Sequence, residues 1–146
     1  MDTKLKSDIA ESAVILKLLE KGFNVLKPFG DRLAYDLAID QEGRLIRIQV
    51  KSAWYSKDKK MHLVDARRTK TNRRKMIRKK YSNQDFDFAI IYLSDKQVFY
   101  IMPVEVFNNY ASSISFVEEG KRQRPPKSAK FRERWDLLSF CGLLVQ

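Results

Sequence analysis

The stretch from Leu33 to Ala53, LAYDLAIDQEGRLIRIQVKSA, constrains the fold more than any other part of the chain. It reads as two strands joined by a tight polar turn at Asp40-Gln41-Glu42-Gly43. Each strand alternates, so side chains two apart share a face. On the first, Tyr35, Leu37 and Ile39 fall on one face and Ala34, Asp36 and Ala38 on the other. On the second, Ile46, Ile48 and Val50 oppose Leu45, Arg47, Gln49 and Lys51. Turning both apolar faces to one core leaves Asp36, Gln49 and Lys51 on the remaining face. Pairing Asp40 with Leu45 leaves a loop of about four residues, an ordinary hairpin length, and sets Asp36 opposite Gln49. A carboxylate, an amide and an ammonium then converge on one patch of sheet.

A chain of 146 residues suits a single domain spanning 1–146, with a real hydrophobic core. Lys and Arg number 29 against 18 Asp and Glu, a net charge of +11. That excess favours an anionic partner, either nucleic acid or a membrane surface. No apolar run reaches bilayer-spanning length, and Met1-Asp2-Thr3-Lys4 lacks the pattern of a signal peptide. Cys141 and His62 are the single cysteine and histidine. An intrachain disulfide, a cysteine-based zinc site and machinery needing two histidines from one chain are therefore excluded. The expectation is a cytoplasmic protein with no membrane segment.

Before the hairpin, a helix is predicted from about Asp8 to Lys21, capped by Ser7 or Asp8 and ended by Gly22. Its apolar stripe includes Val14, Ile15, Leu18 and Leu19, and Glu11 lies at the N-terminal end of that stripe. Glu11 either completes a capping box with Asp8 or is delivered by the helix to the polar patch. Phe23 to Lys27 reads as a strand stopped by Pro28 and the Gly30-Asp31 turn, giving a helix packed on a three-stranded meander. Further on, Phe86 to Leu93 reads as a central strand, Gln97 to Met102 as its return, and Pro103 as the opening of a short helix through Val104, Val106 and Phe107. The apolar tail from Trp135 to Val145 either closes the core or forms a subunit interface.

Two stretches carry sixteen of the 29 basic residues. From Arg67 to Lys80, nine of fourteen residues are basic: Arg67, Arg68, Lys70, Arg73, Arg74, Lys75, Arg78, Lys79 and Lys80. No acid interrupts between Asp65 and Asp85, and Thr69, Thr71, Asn72 and Tyr81 add hydrogen-bond donors suited to phosphate oxygens. A solvated surface loop is the plain reading; the one-signed charge favours contact with nucleic acid. The second stretch holds Lys121, Arg122, Arg124, Lys127, Lys130, Arg132 and Arg134 around Pro125-Pro126.

Phosphodiester hydrolysis asks for a metal that polarises the phosphoryl oxygen and activates water, with a cation near the developing charge. Magnesium accepts one or two carboxylates and keeps several waters. Asp36 and Glu11 supply carboxylates, the Val50 main-chain carbonyl a further oxygen, and Lys51 the cation. At this point the residues resemble a known family, the PD-(D/E)XK nucleases. The resemblance is carried by Ile9-Ala10-Glu11, Pro28-Phe29-Gly30, Tyr35-Asp36-Leu37 and Ile48-Gln49-Val50-Lys51-Ser52-Ala53, in order and suitably spaced. Pro103-Val104-Glu105-Val106-Phe107 and Arg134-Trp135-Asp136-Leu137-Leu138 are similar to a subgroup of small homing endonucleases encoded in group I introns.

The resemblance implies an α/β (α+β) fold with a restriction-endonuclease-like core, a mixed central β-sheet flanked by helices. It implies catalytic Glu11, Asp36, Gln49 and Lys51, with Mg2+ at Asp36, Glu11 and the Val50 carbonyl and Mn2+ able to substitute. Tyr35 stands where the motif has Pro, and Gln49 where the family usually has an acid. Gln49 offers an amide oxygen without a charge, which raises the importance of Glu11. The implied activity is sequence-specific cleavage of double-stranded DNA in intron homing. The basic stretches, chiefly 67–80 and Lys121, Arg122, Arg124 and Lys127, are the implied DNA contacts. One pocket per chain calls for a homo-oligomer to cut both strands, a dimer at least, with a tetramer suited to a long target. A junction-resolving or repair nuclease of the same fold and a non-catalytic DNA-binding protein with a decayed site are the alternatives.

Overall fold

Asp2 caps the first helix, its Oδ1 accepting the Lys4 amide at 3.0 Å. In the computed structural model, which describes residues 2–71, 76–120 and 124–139, α1 runs Thr3–Glu20. It begins well before the predicted Asp8, so Asp8 is interior and the Asp8–Glu11 capping box does not form. Two aspartates competed for the cap, and the earlier one captures the first free amide. The buried stripe is Ala10, Val14 and Leu18, spaced i, i+4, i+8. Small Ala10 lets the helix approach the sheet, which rotates the predicted stripe: Ile15 is half-buried and Leu19 exposed. At the far end Gly22 takes φ +88°. Its amide donates to Leu19 O and that of Phe23 to Leu18 O, both at 3.0 Å, the paired bonds of a glycine-terminated helix.

The strands are β1 (Asn24–Leu26), β2 (Leu37–Gln41), β3 (Arg44–Ser52), β4 (Trp54–Ser56), β5 (Met61–Asp65), β6 (Arg67–Thr71), β7 (Met76–Lys80), β8 (Phe88–Leu93), β9 (Val98–Pro103) and β10 (Ser113–Phe116), with α2 at Val104–Asn108 between β9 and β10. The central sheet is ordered β1-β2-β3-β8-β9. Its first three strands form the predicted meander, and Asp40 pairs with Leu45 as the alternation required. The strands close by one more pair, Gln41 with Arg44. The turn is thus two residues rather than about four. Glu42 and Gly43 both have positive φ, 53° and 83°, the conformation whose twist matches two-residue hairpins.

β8 lies parallel to β3 and antiparallel to β9, with Gln49 beside Ala89 and Lys51 beside Ile91, which makes the sheet mixed. Every residue of β8 and β9 is buried, because the sheet is covered on both faces. On one side α1 packs against Leu37, Ile39, Ile46, Ile48 and Val50, joined by Phe88, Ile90, Ile101, Trp135 and Leu138. On the other, Ala89, Ile91, Tyr100 and Met102 meet Val64, Ile114, Phe116, Phe107 and Tyr81. Tyr35 packs with this second group rather than with Leu37 and Ile39, because regular pairing in β2 begins only at Leu37.

The second face is built by β10-β5-β4 and by α2. His62 is buried on β5, its Nε2 2.8 Å from Asp95 Oδ1 and its ring 5.1 Å from that of Tyr55. Trp135 and Leu138, in a short 3-10 helix, close the α1-side core. Phe140 to Val145 lie outside the described residues. Among those described, no helix is long and apolar enough to cross a membrane.

Candidate active site

Asp36 lies one residue before β2, and the hairpin register determines where its side chain sits. Its amide donates to Ile48 O at 2.9 Å and its Oδ2 accepts the Val50 amide at 2.8 Å. The carboxylate therefore takes a ladder position that a main-chain carbonyl would otherwise fill, locked against β3 at the level of Gln49. Burial pushes the Asp36 carboxyl above its ordinary value; the Val50 hydrogen bond opposes the rise and the Glu11 charge adds to it.

Glu11 follows Ala10, the most N-terminal buried residue of α1, and forms an ion pair with Lys27 at the exit of β1. On β3, Gln49 donates from Nε2 to the Val50 carbonyl at 3.3 Å. Two residues on, Lys51 donates from Nζ to the Arg67 carbonyl at 3.1 Å. Burial lowers the Lys51 pKa, with the charges of Asp65 and Asp36 pulling back toward the protonated form. Glu11, Asp36, Gln49, Val50 and Lys51 all line one cavity of about 630 Å³. The hairpin patch and the helical glutamate are one site.

The donor set suits a hard divalent cation. Burial raises the Asp36 pKa and the Glu11 charge adds to the rise; a divalent cation bound at Asp36 would favour the ionised carboxylate. Among the described residues no group of three or more His, Cys, Asp or Glu side chains gathers to hold a metal. Of the cavity's carboxylates Asp65 is taken up by Arg67 and Arg78; those of Asp36 and Glu11, with the neutral oxygens of Val50 and Gln49, give an all-oxygen candidate set that leaves coordination places to water.

Among the other residues that line the cavity, Trp54, Asp65 and Tyr81 were not assigned to it from the sequence. Asp65 and Tyr81 carried a signal, since they flank the first basic stretch at its two ends. That stretch is a hairpin, β6 paired with β7 from Arg67↔Lys80 to Thr71↔Met76. Its bases are not equivalent. Arg67 is tied to Asp65 by its amide at 2.8 Å and its Nε at 3.0 Å, and Arg78 reaches the same carboxylate at 3.5 Å. Arg68 lines the cavity and donates to Arg32 O at 3.4 Å, while Lys80 donates to Asn108 O at 2.9 Å. Lys79 is exposed. Lys70 takes a β6 position opposite Ile77. Arg73, Arg74 and Lys75 lie outside the described residues. So do Lys121 and Arg122 of the second stretch, where Arg124 and Lys127 are exposed and Arg132 and Arg134 pair with Glu118 and Asp136.

The chain matches the model of the PD-(D/E)XK endonuclease family over residues 1–138. The solved structure of a bacterial homing endonuclease, I-Ssp6803I, superposes with a TM-score of 0.90 at 49% sequence identity, covering 99% of this chain and 97% of that one. No curated protein sequence matches it. The family match spans Glu11, Asp36, Gln49 and Lys51, and nucleases of this family use divalent metals. The chain belongs to the PD-(D/E)XK endonuclease family, and it is a DNA-cleaving enzyme.

Proposed function

We propose that the protein is a homing-type endonuclease that cuts both strands of one long duplex sequence, using Mg2+ held by Glu11, Asp36 and the Val50 carbonyl. The observation that carries this reading is the convergence of Glu11, Asp36, Gln49 and Lys51 in one cavity, next to a basic hairpin rooted at Asp65. The similarity to a bacterial homing endonuclease along nearly the whole chain supports the same reading. Mn2+, with the same preference for oxygen ligands, substitutes.

The chemistry that a bound divalent ion supplies is polarisation of a phosphoryl oxygen and acidification of water. The chain's own residues do the rest. Asp36, held by the Val50 amide, presents its second oxygen in a fixed direction. Glu11 contributes the charge that Gln49 lacks. Lys51 faces the negative charge that grows on the phosphoryl oxygens and, two residues along the same strand face from Gln49, orients the attacking water. β6 and β7 track the phosphates and hold the duplex over the cavity.

The described residues of each chain form one such cavity, so a double-strand cut takes two copies, with a tetramer for a long target. The outer face of α1 supports a contact between copies: Leu5, Ile9, Leu16 and Leu19 are 48, 38, 59 and 55% exposed, at spacings that place them along one side of the helix.

A cleavage assay on linear duplex and on four-way junctions tests the function, with Glu11→Gln protein run beside the wild type. The wild type should cut both strands of its duplex site in preference to junctions, and Glu11→Gln should be slower by about 10²-fold. Cutting of junctions regardless of sequence would make the protein a resolving nuclease. An unchanged Glu11→Gln rate would return Glu11 to a purely structural pairing with Lys27.

A further inference from the structure

Both ends of the basic hairpin meet at Lys51. β6 opens with Arg67, whose carbonyl accepts the Lys51 ammonium at 3.1 Å. β7 closes at Lys80, and the next residue, Tyr81, places its ring 5.0 Å from the same ammonium. At the hairpin root, Asp65 binds the amide and guanidinium of Arg67 and reaches Arg78 across the pair, joining the two strands. The Tyr81 ring is buried and cannot drift. Phe86 meets it edge-on at 5.1 Å and 79°, and Phe107 of α2 at 6.0 Å and 62°. Phe86 and Phe107 are themselves in T-shaped contact at 5.6 Å.

We infer that Tyr81 is a positioning residue for Lys51, its ring and the Arg67 carbonyl clamping the ammonium so that seating the hairpin on DNA sets the lysine at the scissile phosphate. The inference rests on Lys51 being the catalytic cation.

The chemistry explains why the clamp is built this way. Lysine has among the most rotamer freedom of any side chain, and a cation that must meet a developing charge has to surrender it beforehand. A carboxylate in contact would fix the ammonium but also neutralise it. A carbonyl and an aromatic face hold it by dipole and quadrupole, and leave its full charge for the substrate. Because both holders belong to the hairpin's roots, the clamp and the phosphate-tracking strands move together.

The test uses full-length wild type, Tyr81→Leu, Tyr81→Phe and Lys51→Ala with duplex substrate. Tyr81→Leu should slow single-turnover cleavage about tenfold while DNA affinity stays within about twofold, and Tyr81→Phe should recover most of the rate, since the ring face rather than the hydroxyl acts. In protein labelled with 13C at lysine Cε, the Lys51 methylene signal, identified by its absence from Lys51→Ala, should be shifted upfield by the ring in wild type and Tyr81→Phe, as for the other described lysines that lie over rings, Lys17, Lys21 and Lys130. It alone should lose that shift in Tyr81→Leu. A wild-type Lys51 signal without that shift overturns the inference independently of whether any variant folds. So does a Tyr81→Leu rate equal to wild type, or an equal loss of affinity and rate, which marks a merely structural role. Lys51→Ala protein that cleaves normally removes the catalytic assignment underneath instead.

Discussion

Lys51→Ala and Asp36→Asn proteins are each expected to cleave duplex DNA at least about 10²–10³ times more slowly than wild type. Affinity should change by less than about tenfold, because each variant alters a single charge beside the proposed phosphate-binding surface of the basic stretches. Single-turnover rates and binding titrations on the same substrate separate the two effects. Stability should move the other way. The raised Asp36 pKa means the folded protein holds a proton at pH values where the unfolded chain has lost it. That contribution falls as pH rises from the ordinary carboxylate value through the folded one, and stays low at neutral pH. For Lys51 the lowered pKa means the folded protein releases its proton first. Stability therefore rises with pH between the folded value and the ordinary lysine value, and the charged, desolvated ammonium is a cost below it. Asp36→Asn and Lys51→Met should thus keep or raise the Tm in a thermal melt at neutral pH. A large drop in Tm would mean these charges hold the fold and that lost cleavage reports unfolding.

Salt should act on binding even more strongly than either substitution. If about eight phosphates are contacted, log affinity falls with log salt at a slope near roughly −7, which amounts to about 10⁴-fold between 50 and 200 mM. The hairpin makes the prediction more specific than the net charge of +11 does. Arg67 is committed to Asp65 at the root, so its loss should weaken binding by disturbing the hairpin, whereas Lys79 is exposed and its loss should reduce the slope by about one. Titrations at several salt concentrations check both statements. A flat response would discard the basic stretches as the DNA surface.

The hairpin from Leu33 to Ala53 was legible because period-two alternation leaves one register that buries both apolar faces. The Asp40↔Leu45 pairing, and with it the place of Asp36, followed from that together with an ordinary hairpin loop length. Glu11 was legible as a member of the inward stripe, although the helix starts at Thr3 rather than near Asp8; its place depends on helical period, not on the cap. The clamp on Lys51 was not legible. It consists of a main-chain carbonyl 16 residues away and a ring beyond the hairpin, and neither partner has a local pattern that points to the lysine. The strands β4, β5 and β10 were missed because each spans five residues or fewer, too short for alternation to stand out in polar surroundings. Nor does charge count separate arginines bound to Asp65, Glu118 and Asp136 from those open to phosphate.

Gln49 is the residue where geometry adds most to the sequence. It lies in the expected cavity, yet its amide donates to the Val50 carbonyl, one of the proposed ligands. The two carboxylates proposed as ligands come from Asp36 on the hairpin and Glu11 on the helix, two elements brought together by the packing of Ala10 and Val14 on β3 and its neighbours.

Hydrolysis of DNA at one sequence by this cavity is the proposal on which the rest depends. The most direct measurement incubates a randomised duplex library with Mg2+ and either wild-type or Asp36→Asn protein, then sequences the ends produced. Ends should converge on one recurring long site with wild type, and none should rise above background with Asp36→Asn. Ends that appear equally with both proteins, or no ends from the wild type at all, would contradict that proposal.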